Sequence, residues 1–159
     1  MTEHFLKLDY AKLHLYCDTI IDELKKLEFE PTHVVGISRG GLVPGVILSH
    51  KYNIPFLPVV WSTRDFAQSD YYGLLSLSTL LSNHTNSNVL LVDDICDTGL
   101  TLKSVFLMLN SMPQLDYKNR LKTATIYKKQ TASFKVDAYA DIVADETWVV
   151  FPYEVPPHE

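Results

Sequence analysis

The chain has 159 residues, 47% of them hydrophobic and 21% charged, with a formal net charge of −5. That length allows one domain with a sizeable core, and the acidic balance argues against a broad basic surface for nucleic acid or an anionic membrane. A small anionic ligand stays possible, because local donors and a divalent cation decide that. No apolar run approaches the roughly 20 residues that span a bilayer. Met1-Thr2-Glu3-His4 lacks the basic segment and apolar core of a leader, so the expectation is a cytoplasmic protein with no membrane or nucleic-acid partner. Cys17 and Cys96 have no metal-ligand spacing and read as buried thiols.

Asp9 is placed to cap a first helix whose apolar positions are Tyr10, Leu13, Cys17, Ile20, Ile21, Leu24 and Leu27, with Pro31 as its stop. His33 to Ile37 reads as a short buried strand. Ser38-Arg39-Gly40-Gly41 then makes a turn into a second helix carrying Leu42, Val43, Val46 and Ile47, with Pro44 tolerated in its first turn. Ile54 to Trp61 supplies another strand. The stretch Tyr71 to Leu81 is apolar enough for a strand or hairpin, and Ser82 to Asn88 is a turn.

Val89 to Val92 is an apolar run suited to a strand buried on both faces of a parallel sheet. It ends abruptly at Asp93 and Asp94, and Asp97-Thr98-Gly99-Leu100-Thr101 follows as a turn. Leu102, Val105, Phe106 and Leu109 then recur at helical spacing to near Met112-Pro113. Lys122 to Tyr127 is a further strand, and Asp141 to Ala144 and Trp148 to Phe151 are short terminal ones. Alternating strands and helices imply one α/β domain over residues 1–159, built on a mainly parallel sheet flanked by helices.

Two strand-to-helix turns carry chemistry. Thr98, Gly99 and Thr101 offer hydroxyls and backbone N–H groups at a helix N-terminus, where a phosphate monoester is a natural guest. The adjoining acids would repel it unless they bind a cation or sugar hydroxyls, which implies a divalent metal such as Mg²⁺. The plainer alternative is that Asp97 caps the helix and the acid pair is solvated. In the earlier turn, Arg39 suits bidentate oxyanion recognition and Gly40 and Gly41 allow close backbone approach.

Val89 to Thr101 resembles the signature of the type I phosphoribosyltransferases: a hydrophobic strand, two acids, then Asp-Thr-Gly-x-Thr. Ile37 to Gly45 resembles the pyrophosphate loop of the xanthine-guanine members. Glu146-Thr147-Trp148-Val149 with Phe151-Pro152 resembles their base-binding hood, here formed largely by about residues 128–159. The resemblance implies transfer of a phosphoribosyl group from 5-phosphoribosyl-1-pyrophosphate to a 6-oxopurine (guanine, xanthine or hypoxanthine), with Mg²⁺ as cofactor, in a homo-dimer or homo-tetramer serving purine salvage.

It further implies that Asp97 to Thr101 hold the 5′-phosphate and that Asp93 and Asp94 face the ribose hydroxyls, with Asp94 the metal ligand. Arg39 and Gly40 would take pyrophosphate, often through a cis peptide in this family. Asp97 would manage the proton at purine N7. Trp148 and the Val149 backbone would meet the base, and Lys129, with Lys128 as the fallback, would donate to its 6-oxo group. The family's mobile cover corresponds to the loop beginning near Ser62. Leu100 stands where the family often has a second glycine, and no Lys or Arg occurs between Asp65 and Leu102, leaving Arg64 as the nearby candidate for pyrophosphate. A transferase for another base, or a non-catalytic nucleotide-binding regulator with the same fold, are the alternatives.

Overall fold

The computed structural model describes residues 4–62, 71–83, 86–111 and 120–155. Five strands form one parallel sheet in the order β3-β2-β4-β5-β6: β2 is His33–Ser38, β3 Phe56–Val60, β4 Val89–Cys96, β5 Leu121–Lys129 and β6 Ala138–Val143. A separate two-stranded sheet pairs β1 (His4–Lys7) in parallel with β7 (Thr147–Val150), setting Phe5 beside Trp148.

Among the described residues, four helices connect and cover the sheet: α1 (Tyr10–Lys26), α2 (Leu42–Tyr52), α3 (Tyr71–Ser82) and α4 (Leu100–Asn110). Asp9 does cap α1, its Oδ1 accepting from the Lys12 N–H at 2.7 Å. Leu13, Cys17, Ile20 and Leu24 of α1 are fully buried and join Leu48 of α2 against Val34, Leu90, Val92 and Ile126. Across the sheet, Leu74, Leu77 and Leu81 of α3 join Leu102, Val105 and Leu109 of α4 against Val35, Ile37, Val89 and Leu91. The sheet is therefore covered on both faces, and β4 can be apolar at every position from Val89 to Val92 because alternate residues feed opposite cores.

Three sequence expectations need correction. Tyr71 to Leu81 is helical, not a strand or hairpin: Leu74, Leu77 and Leu81 lie on one face and are buried, while Leu75 and Leu80 are exposed. The strand from Val89 does not stop before the acids. It runs on to Cys96, so Asp93 and Asp94 are strand residues pinned by the ladder to β5, where Asp93 lies opposite Thr125. Lys128 and Lys129 likewise lie within β5 and not after it. The strand at His4–Lys7 had no counterpart among the sequence expectations.

Candidate active site

Chain order reverses between β2 and β4: β3 lies on one side of β2, while β4 and the later strands lie on the other. Loops at the carboxyl ends of two such neighbouring strands diverge and leave a crevice, which is where open α/β sheets bind ligands. The loops in question are 39–41, after β2, and 97–99, after β4.

The later loop is shaped by Gly99. Its φ is +88°, and a Cβ there would overlap the Cβ of Phe134, so glycine is required twice over. The loop is buttressed from the β5–β6 connection, where the Ser133 N–H and hydroxyl donate to the Thr98 carbonyl at 3.3 and 3.0 Å. Sequence reasoning missed Ser133 and Phe134, which carry no local signal of their own. Residues 95–102 together with Asp93 line a small open pocket. Asp97 does not cap the helix, which removes the plainer alternative for it: the N-cap of α4 is Gly99, with no side-chain cap bond. Asp97 is exposed at the pocket rim.

The two strand acids face different ways, as successive strand residues do. Asp93 lines the pocket, and its Oδ1 accepts from the Asp94 N–H at 2.9 Å. Asp94 packs over Gly40, whose missing side chain is what makes room for the carboxylate: a Cβ would overlap its carboxylate atoms. Asp94 Oδ2 also accepts from the Tyr153 hydroxyl at 3.0 Å. Burial drives both acids up, Asp93 well above its usual range with further help from the Asp94 charge. Asp94 is pushed up to about 6, mainly by burial and against the Tyr153 and Ile95 hydrogen bonds that favour its anion. A pair held this way gains from any cation or hydroxyl group that settles on it.

The peptide between Ser38 and Arg39 is cis. The Arg39 side chain is exposed, and the turn is tied back by Gly41 N–H to the Ile37 carbonyl at 2.8 Å. Arg64 lies outside the described residues. Lys129 reaches toward the later loop: its Nζ lies 3.7 Å from Asp97 Oδ1 and donates to the Asp145 carbonyl at 2.6 Å. The Lys128 amine donates instead to the Lys129 carbonyl at 3.4 Å. Trp148 is 53% exposed, an open aromatic face, while Val149 beside it is buried.

The model of the phosphoribosyl transferase domain matches residues 12–159. The chain belongs to the phosphoribosyltransferase family. The xanthine-guanine phosphoribosyltransferase of Chromohalobacter salexigens is 28% identical over 148 residues, covering 93% of this chain and 83% of that one. The enzyme of the same name from Idiomarina loihiensis is 28% identical over 125 residues, 79% of this chain and 72% of its own. Among solved structures, a purine phosphoribosyltransferase from Pyrococcus horikoshii superposes with a TM-score of 0.73 at 23% identity, over 98% of this chain and 97% of that one. It shares the fold.

In this phosphoribosyltransferase the Asp94 carboxylate suits a hard divalent cation that arrives with its phosphates. Mg²⁺ keeps most of its ligands as water and phosphate oxygens and takes only one or two carboxylates from a protein. The Asp94 carboxylate, seated over the Gly40 turn, meets that demand as a single ligand. Among the described residues no cluster of three or more His, Cys, Asp or Glu could hold a metal without such help.

Proposed function

We propose that the protein transfers the 5-phosphoribosyl group from 5-phosphoribosyl-1-pyrophosphate to a 6-oxopurine, releasing pyrophosphate and a nucleoside monophosphate. The observation that carries this reading is the approach of Lys129 to Asp97, 3.7 Å between Nζ and Oδ1, beside the 97–101 loop. An ammonium able to donate to an oxo group, beside a carboxylate able to take a proton, supports this reading.

In this reading the 97–101 loop holds the 5′-phosphate and Arg39 with Gly40 holds the pyrophosphate, with Arg64 as a further cation. The bond from ribose C1 to a pyrophosphate oxygen breaks as the bond to a purine ring nitrogen forms. Cationic character builds on the ribose, and Asp93 and Asp94 stabilise it. Asp97 accepts the proton that the base gives up at N7. Lys129 donates to the 6-oxo oxygen, and Trp148 stacks on the purine while the Val149 backbone meets its edge. A magnesium ion bound at Asp94 would neutralise charge on the departing pyrophosphate. The relatives named as xanthine-guanine enzymes support the choice of a 6-oxopurine. An ammonium donor also suits an oxo group and not the exocyclic amine of adenine.

Lys129→Met tests the base assignment. Loss of one charge-assisted hydrogen bond to the oxo group is expected to lower kcat/KM for the oxopurine by roughly ten- to a hundredfold. The KM for phosphoribosyl pyrophosphate should move far less. Unchanged kcat/KM with guanine, xanthine and hypoxanthine would remove Lys129 from the base site.

A further inference from the structure

Three residues far apart in sequence meet at one hydroxyl. Tyr153 Oη lies 3.0 Å from Asp94 Oδ2 and 3.1 Å from the Gly40 carbonyl oxygen. The ring is held in place by its own turn. It stacks on Phe151, with centroids 5.5 Å apart and planes 13° from parallel, and Phe151 is buried against Tyr127. The Phe151 N–H donates to the Glu154 carboxylate at 2.9 Å, and the Glu154 N–H donates to the Phe151 carbonyl at 3.0 Å, closing residues 151–154 on themselves.

Both partners of the hydroxyl are acceptors, and a phenol has a single hydrogen to give. The Asp94 carboxylate and the Gly40 carbonyl therefore compete for it. We propose that Tyr153 is a positioning residue that couples Asp94 to the Arg39–Gly40 turn. Before ligand arrives, its hydrogen is shared and holds the carboxylate over Gly40. Once Asp94 is engaged by a ribose hydroxyl or a cation, the hydrogen turns to the Gly40 carbonyl and fixes the turn that faces pyrophosphate. This rests on the assignment of those two sites under Proposed function. It also suits the charge distribution of the chain, since no Lys or Arg lies between Asp65 and Leu102. With few cations to grip a pyrophosphate, affinity depends more on a turn that is ordered beforehand.

Tyr153→Phe keeps the ring and its stack and removes only the hydroxyl, so the fold should persist, with melting lowered by no more than about 5 °C. Two readouts separate coupling from general damage. In the unliganded protein, amide hydrogen exchange across residues 39–42 is expected to quicken several-fold while the β4 amides stay protected. In turnover, the KM for phosphoribosyl pyrophosphate should rise about tenfold with the KM for the base nearly constant. Equal changes in both KM values, or no change in either with exchange unaltered, would overturn the proposal. Should the wild-type protein not bind phosphoribosyl pyrophosphate, the transfer reading fails. The exchange readout still decides the coupling: faster exchange at 39–42 keeps it, unaltered exchange ends it.

Discussion

Asp97→Asn is expected to lower turnover by about a hundredfold or more while leaving the melting temperature nearly unchanged. The asymmetry follows from where Asp97 sits. It is exposed, it caps no helix, and its side chain meets Lys129 at a loose 3.7 Å. A contact that long, with Asp97 itself open to solvent, contributes little to stability, on the order of 0–1 kcal/mol. As the proposed acceptor of a proton from the base, the carboxylate would have a role an amide cannot fill. Asparagine preserves the shape and accepts hydrogen bonds, so substrate KM values should change modestly and the loss should fall on kcat. Activity surviving nearly intact would strip Asp97 of the acid–base role and leave the mechanism without its proton acceptor. Turnover of the purified variant, with melting measured alongside, decides it.

Gly40→Ala should be nearly as damaging by a different route. The added methyl overlaps the Asp94 carboxylate, so that carboxylate has to swing away and lose its bond from Tyr153. Overpacking of this kind costs about 1–3 kcal/mol, and a chain of this size loses roughly 2–4 °C in melting temperature per kcal/mol. The fold survives, but one methyl disturbs the turn, the acid and the hydroxyl together. Affinity for phosphoribosyl pyrophosphate, measured by titration calorimetry with Mg²⁺ present, should fall at least roughly tenfold. Wild-type affinity in this variant would mean that Asp94 need not lie over Gly40 for binding.

Much of this arrangement could be read from the residues. Val89 to Thr101 announces itself because a strand buried on both faces must be apolar at every position, and the break to three acids is then conspicuous. The Asp9 cap and the middle of the α1 stripe, Leu13, Cys17, Ile20 and Leu24, were equally legible, since each depends on neighbours within a turn or two, whereas Tyr10 and Leu27 at its ends are exposed. The helix at 71–82 was not. Its buried leucines at 74, 77 and 81 are interleaved with Leu75 and Leu80, which face outward, so the apolar run hides its own period. The strand at His4–Lys7 has no buried member, so no alternation marks it, and only pairing with β7 creates it. Tyr153 was out of reach for a similar reason. Its partners are 59 and 113 residues away, and no pattern local to residues 151–154 points to them. Ser133 and Phe134, which brace the 97–99 loop, belong to the same class.

The family relationship fixes the fold and the kind of chemistry, while the base remains the open choice. In the proposed reading Lys129 and Trp148 favour an oxopurine: an ammonium donates to an oxo oxygen, and an indole stacks on a flat base. The most direct measurement is pyrophosphate release from phosphoribosyl pyrophosphate and Mg²⁺ with guanine, xanthine, hypoxanthine, adenine and uracil offered singly. Release that depends on at least one of the three oxopurines, matched one for one by its nucleoside monophosphate, is the predicted result. Turnover with adenine or uracil alone, or with none of the five, would contradict it.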